Sequence, residues 1–166
     1  MTECITSRMA VGVNILVGGW HVSLGHFTGT LGGLNAIGLS LGDGAHYMTI
    51  VNNTFDYTHL KLNGAARRTI TDNQFRNDAD DLSEFAILWE ATEIDQDFAG
   101  TIITDNNAWV RGTVANHDFI RLSEPGSFTW GSPDGCLVHS NTVRTQTTLP
   151  AGFTNISSTS GSLNAA

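Results

Sequence analysis

A short phrase returns four times in this chain. It reads Ile50-Val51-Asn52-Asn53-Thr54-Phe55, Ile70-Thr71-Asp72-Asn73-Gln74-Phe75, Ile103-Thr104-Asp105-Asn106-Asn107-Ala108-Trp109 and Val138-His139-Ser140-Asn141-Thr142-Val143. Each copy sets a β-branched aliphatic three residues before an Asn, with an apolar residue two or three positions after it. A fainter fifth copy is read upstream, with Ile15 as the aliphatic, Gly18 in the Asn place and Trp20 as the aromatic. Repetition constrains a fold more than any local signal does, because one repeat cannot bury its apolar face without its neighbours.

A second phrase alternates with the first: Leu39-Ser40-Leu41, Leu60-Lys61-Leu62, Ile87-Leu88-Trp89 and Ile120-Arg121-Leu122. The first phrase recurs at offsets of 20, 33 and 35 (50 to 70 to 103 to 138). The second recurs at 21, 27 and 33 (39 to 60 to 87 to 120). Both are rich in β-branched and aromatic residues, and apolar positions alternate with polar ones. No window carries a sustained helical period.

Two short strands per period predict a coil. Coils stacked at about 4.8 Å set each strand beside its copy in the next coil, in parallel sheets. Ile50, Ile70, Ile103 and Val138 then form one inward ladder, and Leu62, Trp89 and Leu122 form part of another. Asn53, Asn73, Asn106 and Asn141 share a corner, where an amide bonds turn backbone and its copies above and below.

The Ile-x-x-Asn-x-Phe phrase with intervening Leu-x-Leu strands resembles the right-handed parallel β-helix repeat of pectate lyases and phage tailspikes, across residues 13 to 144. The resemblance implies an all-β chain, a right-handed parallel β-helix of about four to five coils. The competing architecture is an antiparallel β-sandwich with Asn-bearing turns. On the β-helix reading, residues 1–12 are an N-terminal cap or docking arm, 13–144 the β-helix, and 145–166 a Ser/Thr/Gly-rich C-terminal tail that cannot fold on its own account.

The net charge is −8 and only 14% of residues are charged. No basic stripe exists, so nucleic acid is not an expected partner. No apolar run is long enough for a membrane span, and Met1-Thr2-Glu3-Cys4 is read as carrying no signal peptide. Cys4 and Cys136 are read as free thiols, Cys136 as a small core hydrophobe. The histidines lack ligand spacing, so no zinc site and no cofactor are expected. The acids Asp78, Asp80, Asp81 and Glu84 lack the spacing of a calcium loop and read as a solvated turn. Gly38-Leu39-Ser40-Leu41-Gly42 has the outline of a nucleophile elbow, but Ser40 falls inside a strand and no helix follows.

Chemistry is expected where the coils carry extra residues. The connections after the Leu-x-Leu strands (42–48, 63–67, 90–100 and 123–135) leave the stack at one corner and build one lateral wall. Glu93, Asp95, Glu124, Trp130 and Asp134 lie on it. Carboxylates beside an aromatic face are what a carbohydrate site uses. Arg67, Arg68 and Arg76, the main basic cluster, are expected at a different corner from Glu93 and Asp95.

Two functions from different classes follow. The first is a virion surface structural protein of phage type, either a capsid decoration or cement protein or a non-enzymatic receptor-binding spike module. Its partners would be capsid or tail proteins and a host surface glycan, and its place the virion. The second is a tailspike-like polysaccharide-degrading enzyme, a glycosidase or lyase. The spike proteins that the chain resembles are trimers, which implies a homotrimer. Ile5, Met9, Val11, Phe153 and Ile156, apolar residues in otherwise polar ends, are the expected assembly contacts.

Overall fold

The computed structural model describes residues 5–7, 11–29, 37–64, 67–77, 85–96, 99–110, 118–123, 125–128, 136–145 and 154–158. Within them the chain winds as a stack of coils with three strands per coil. Strand β1 (Ile5–Ser7) precedes the first full coil, β2 (Val11–Ile15), β3 (His21–Ser23) and β4 (His26–Thr28). The second coil is β5 (Ile37–Leu41), β6 (Thr49–Val51) and β7 (Thr54–Asp56). The third is β8 (His59–Asn63), β9 (Thr69–Thr71) and β10 (Gln74–Asn77). The fourth is β11 (Phe85–Glu90), β12 (Ile102–Thr104) and β13 (Asn107–Val110). The fifth is β14 (Asp118–Ser123), β15 (Leu137–His139) and β16 (Thr142–Thr145), and β17 (Thr154–Ser158) follows it.

Each strand pairs with its copy one coil away. The first sheet runs β17-β14-β11-β8-β5-β2, the second β15-β12-β9-β6-β3, and the third β1-β4-β7-β10-β13-β16. All described pairings are parallel. This is a parallel β-helix, and the antiparallel sandwich is excluded.

Two expectations are corrected. The coil has three strands, because the repeated phrase is not one strand: its Asn is a corner, with the aliphatic on the second sheet and the aromatic on the third. The fifth copy is Val22-Ser23-Leu24-Gly25-His26-Phe27, since Val22 pairs with Ile50 and Phe27 with Phe55. Ile15 pairs instead with Leu41, on the first sheet.

The residue before each corner Asn turns the chain through the left-handed region. Leu24, Asn52, Asp72, Asp105 and Ser140 have φ between 54° and 56°. The amide then closes the corner. Asn73 Oδ1 accepts from Asn53 N (3.0 Å) and Nδ2 (2.9 Å), Asn106 Oδ1 from Asn73 N and Nδ2, and Asn141 Oδ1 from Asn106 N and Nδ2. Each Nδ2 also reaches a carbonyl of the preceding coil: Val22, Ile50, Ile70 and Ile103 in turn. Asn53, Asn73 and Asn106 are buried, which an amide tolerates only when bonded. At Gly25 the ladder has its donor, Gly25 N to Asn53 Oδ1, and no amide of its own. A Cβ at Gly25 would sit 2.8 Å from the Phe27 ring.

The core is built of ladders. Val22, Ile50, Ile70, Ile103 and Val138 line the second sheet. The first sheet contributes Leu39, Leu60, Ile87 and Ile120, and beside them Ile15, Leu41, Leu62, Trp89 and Leu122. Phe27, Phe55 and Phe75 stack face to face at 4.9 and 4.8 Å, the spacing of adjacent coils. The row shrinks to Ala108 in the next coil, and there Phe119 meets Phe75 edge-on at 6.1 Å. The β5 pairing shifts register between Ile37 and Leu39, where a Cβ on Gly38 would fall 2.7 Å from Phe27 Cβ.

Candidate functional site

The third sheet presents two outward rows. Because strand side chains alternate, the residues on either side of the buried Phe row lie on the outer side of the sheet. One row is His26, Thr54, Gln74, Asn107 and Thr142. The other is Thr28, Asp56, Arg76 and Trp109. Gln74, Arg76, Asn107 and Trp109, floored by Phe75, enclose a concavity of about 380 Å³. The Trp109 side chain keeps a substantial open face, at 41% exposure.

The polar groups here are ordered from one side. His26 Nε2 donates to Asp56 Oδ2 at 2.7 Å, and Arg76 Nε lies 3.6 Å from Asp56 Oδ1. Asp56 is only 8% exposed, and its Oδ1 has no closer hydrogen-bond partner. The carboxylate therefore holds the guanidinium by charge beside the concavity that Arg76 lines. Asn107 Oδ1 is also buried without a partner. The side chains of Gln74 and Trp109 have no hydrogen-bond partner among the described residues. A rigid aromatic plate beside unspent planar donors and acceptors suits a hydroxyl-bearing ring.

The sequence reading did not single out this face, because it let the apolar residue follow the Asn by two or three positions and so left the sense of Trp109 open. The register shows Ala108 paired with the buried Phe75, and Trp109 with the outward Arg76. The signal was present: two residues after the Asn lies inward at Phe55, Phe75 and Ala108, and three after lies outward at Arg76 and Trp109.

The lateral wall stands where expected, between the first and second sheets. Glu93 and Asp95 are exposed there. Glu93 Oε1 accepts from Gln96 Nε2 at 3.3 Å, and the buried Gln96 accepts from Thr92 N and Oγ1. Asp95 turns the chain with φ 55°. Glu124, Trp130 and Asp134 lie outside the described residues, as do Asp78, Asp80, Asp81 and Glu84. Ser40 sits within β5 and is buried, which disposes of the elbow outline.

One placement is corrected. Arg67 and Arg68 belong to the same corner as Glu93 and Asp95, because 64–68 is the equivalent connection one coil earlier; Arg67 N donates to Ala99 O. Arg68 is fully buried. It donates to the carbonyls of Ala45, Gly42, Gly64 and Asn63 at 3.0 to 3.2 Å. Burial lowers its pKa to about 10, against a smaller opposing pull from Asp43, so it stays charged at neutral pH. Arg67 stacks over Tyr47 at 5.5 Å from the ring centre. At this corner the cations tie coils together. Cys136 packs against the core, and burial pushes its thiol up to about 11.

Among the expected assembly contacts, Ile5, Val11 and Ile156 lie on β1, β2 and β17. Their strands pair with β4, β5 and β14 of the same chain. Met9 and Phe153 lie outside the described residues. Among the described residues no cluster of His, Cys, Asp and Glu is composed to hold a metal ion. Among the described residues no helix is long and apolar enough to cross a membrane. No family model matches the chain, and no curated protein or solved structure matches it.

Proposed function

We propose that this chain is a non-enzymatic receptor-binding module of a virion surface, of phage type, and that the outward face of its third sheet binds a host surface glycan. The observation that carries the glycan part is the concavity of Gln74, Arg76, Asn107 and Trp109 on a rigid sheet. Its polar groups are held ready while remaining uncommitted within the chain. The virion part rests on the tailspike-like repeat. The Asn ladder and aromatic stack supply the stiffness that a surface spike needs. The carboxylate of Asp56 is engaged by His26 and Arg76, which suits it to positioning rather than to proton transfer.

The test is binding of polysaccharides to the purified chain by calorimetry, with the polymer length measured before and after. Trp109→Ala is expected to abolish binding, since sugar stacking on one exposed aromatic plate leaves little else of comparable area. Shortened polymer after incubation would instead favour the polysaccharide-degrading reading. A homotrimer associating with capsid or tail proteins is part of the proposal.

A further inference from the structure

From the hydrogen bond that crosses the third sheet beside the concavity, we infer that the chain binds a glycan by its terminal sugar, with His26 as the end-stop of the site. The inference rests on the glycan reading and names the part of the polymer that is held. His26 belongs to the outward row of Gln74 and Asn107, and Asp56 to the row of Arg76 and Trp109. The two rows flank the Phe row, so a groove between them runs along the helix axis. His26 Nε2 donates to Asp56 Oδ2 at 2.7 Å, which ties one row to the other and bridges the groove between β4 and β7.

Burial agrees with the bridge. Phe27 and Phe55, the inward residues of those two strands, have no exposed surface, and Asp56 itself is buried. One coil on, Phe75 keeps 3%, and the described lining of the concavity comes from β10 and β13 alone. On the β16 side the row continues to Thr142, which is exposed, and among the described residues no hydrogen bond ties the two rows there. A groove stopped at one end and open at the other suits the end of a chain. An internal sugar needs room for a neighbour on the β7 side, where the bridge stands. The terminal ring therefore lies on Trp109, and the rest of the glycan leaves along the axis over β16.

The experiment counts binding sites per gram of polymer by calorimetry on the intact chain. The probes are a glucan, a mannan, a galactan and a polyuronate, each intact and after partial acid hydrolysis. Hydrolysis multiplies chain ends and leaves the mass nearly unchanged. For the polymer that binds, sites per gram are expected to rise in proportion to the ends. His26→Ala is expected to remove this dependence and to raise the sites per gram of the intact polymer, because internal units then fit. The His26 side chain is 48% exposed, so its truncation leaves the core packing as it is. His26→Gln, whose amide can still donate to Asp56, is expected to keep the wild-type dependence, which a general loss of structure at this position would not allow. Sites per gram indifferent to hydrolysis in the wild type overturn terminal binding and leave the glycan reading intact. Dependence on ends that persists in His26→Ala overturns the role of His26. Binding by none of the four polymers overturns the inference together with the glycan reading.

Discussion

At the scale of single residues, the fold depends on polar groups placed where polar groups are expensive. Asn73 is fully buried and serves both neighbouring coils: its Oδ1 accepts from Asn53, and its N and Nδ2 donate to Asn106. Asn73→Leu would strand those partners and the Ile50 carbonyl in the core. The expected loss is about 3 kcal/mol or more, read from urea denaturation. An unchanged midpoint would show that the ladder contributes nothing. His59 makes a second residue-scale prediction. It is buried, and burial, with Lys61 adding to it, lowers its pKa from 6.5 to about 3. Between these values the unfolded chain binds a proton that the folded chain refuses. Stability therefore falls as pH drops below 6.5, by up to about 1.4 kcal/mol per unit for this group. His59→Leu should flatten that slope relative to wild type in melts across pH 4 to 7.

At the scale of elements, stacked copies of one side chain hold the strands in register. Phe55 lies between Phe27 and Phe75 and touches both rings, so Phe55→Ala breaks two stacked contacts and opens a cavity. The expected cost is about 3 to 5 kcal/mol in thermal or chemical unfolding. Ile70→Ala, in the aliphatic ladder of the second sheet, should cost about 2 to 5 kcal/mol. The two ladders differ in how they meet interruption. The aliphatic row is continuous over five coils, whereas the aromatic row steps down to Ala108 and is completed by Phe119 from β14. Arg68 does at the wall corner what Asn does at the other: it collects carbonyls that the wider turn leaves unpaired. An Arg replaces four separate caps because its planar fork reaches several acceptors at once.

At the scale of the whole molecule, a short stack has a problem that its interior does not. Among the described residues the sheets end on β1, β2 and β3 at one pole and on β15, β16 and β17 at the other, and such edges invite further strands. Leu16, Val17, Trp20, Leu24 and Tyr47 also stand exposed around the first two coils. This exposed apolar surface among the described residues accords with the proposed homotrimer. Sedimentation at several protein concentrations is expected to give a mass three times that of the 17.8 kDa chain. A stable monomer across that range would remove the trimer from the proposal and leave the ladder and the glycan face untouched.

The repeated phrases by themselves determined the class of fold. A residue's inward or outward sense follows from the period-2 pleat, so Ile50, Ile70, Ile103 and Val138 were legible as a ladder, and the returning Asn was legible as a corner. The strand count per coil was not legible, because a corner held by a left-handed residue and a buried amide leaves no Gly or Pro in the sequence to mark it. Nor was the outward face of the third sheet. His26, Asp56, Arg76 and Trp109 belong to successive coils whose connections differ in length, so no fixed spacing links them. They become neighbours only when parallel pairing sets coil upon coil at one strand's width, and that register is decided by the packing of the Phe row beneath them.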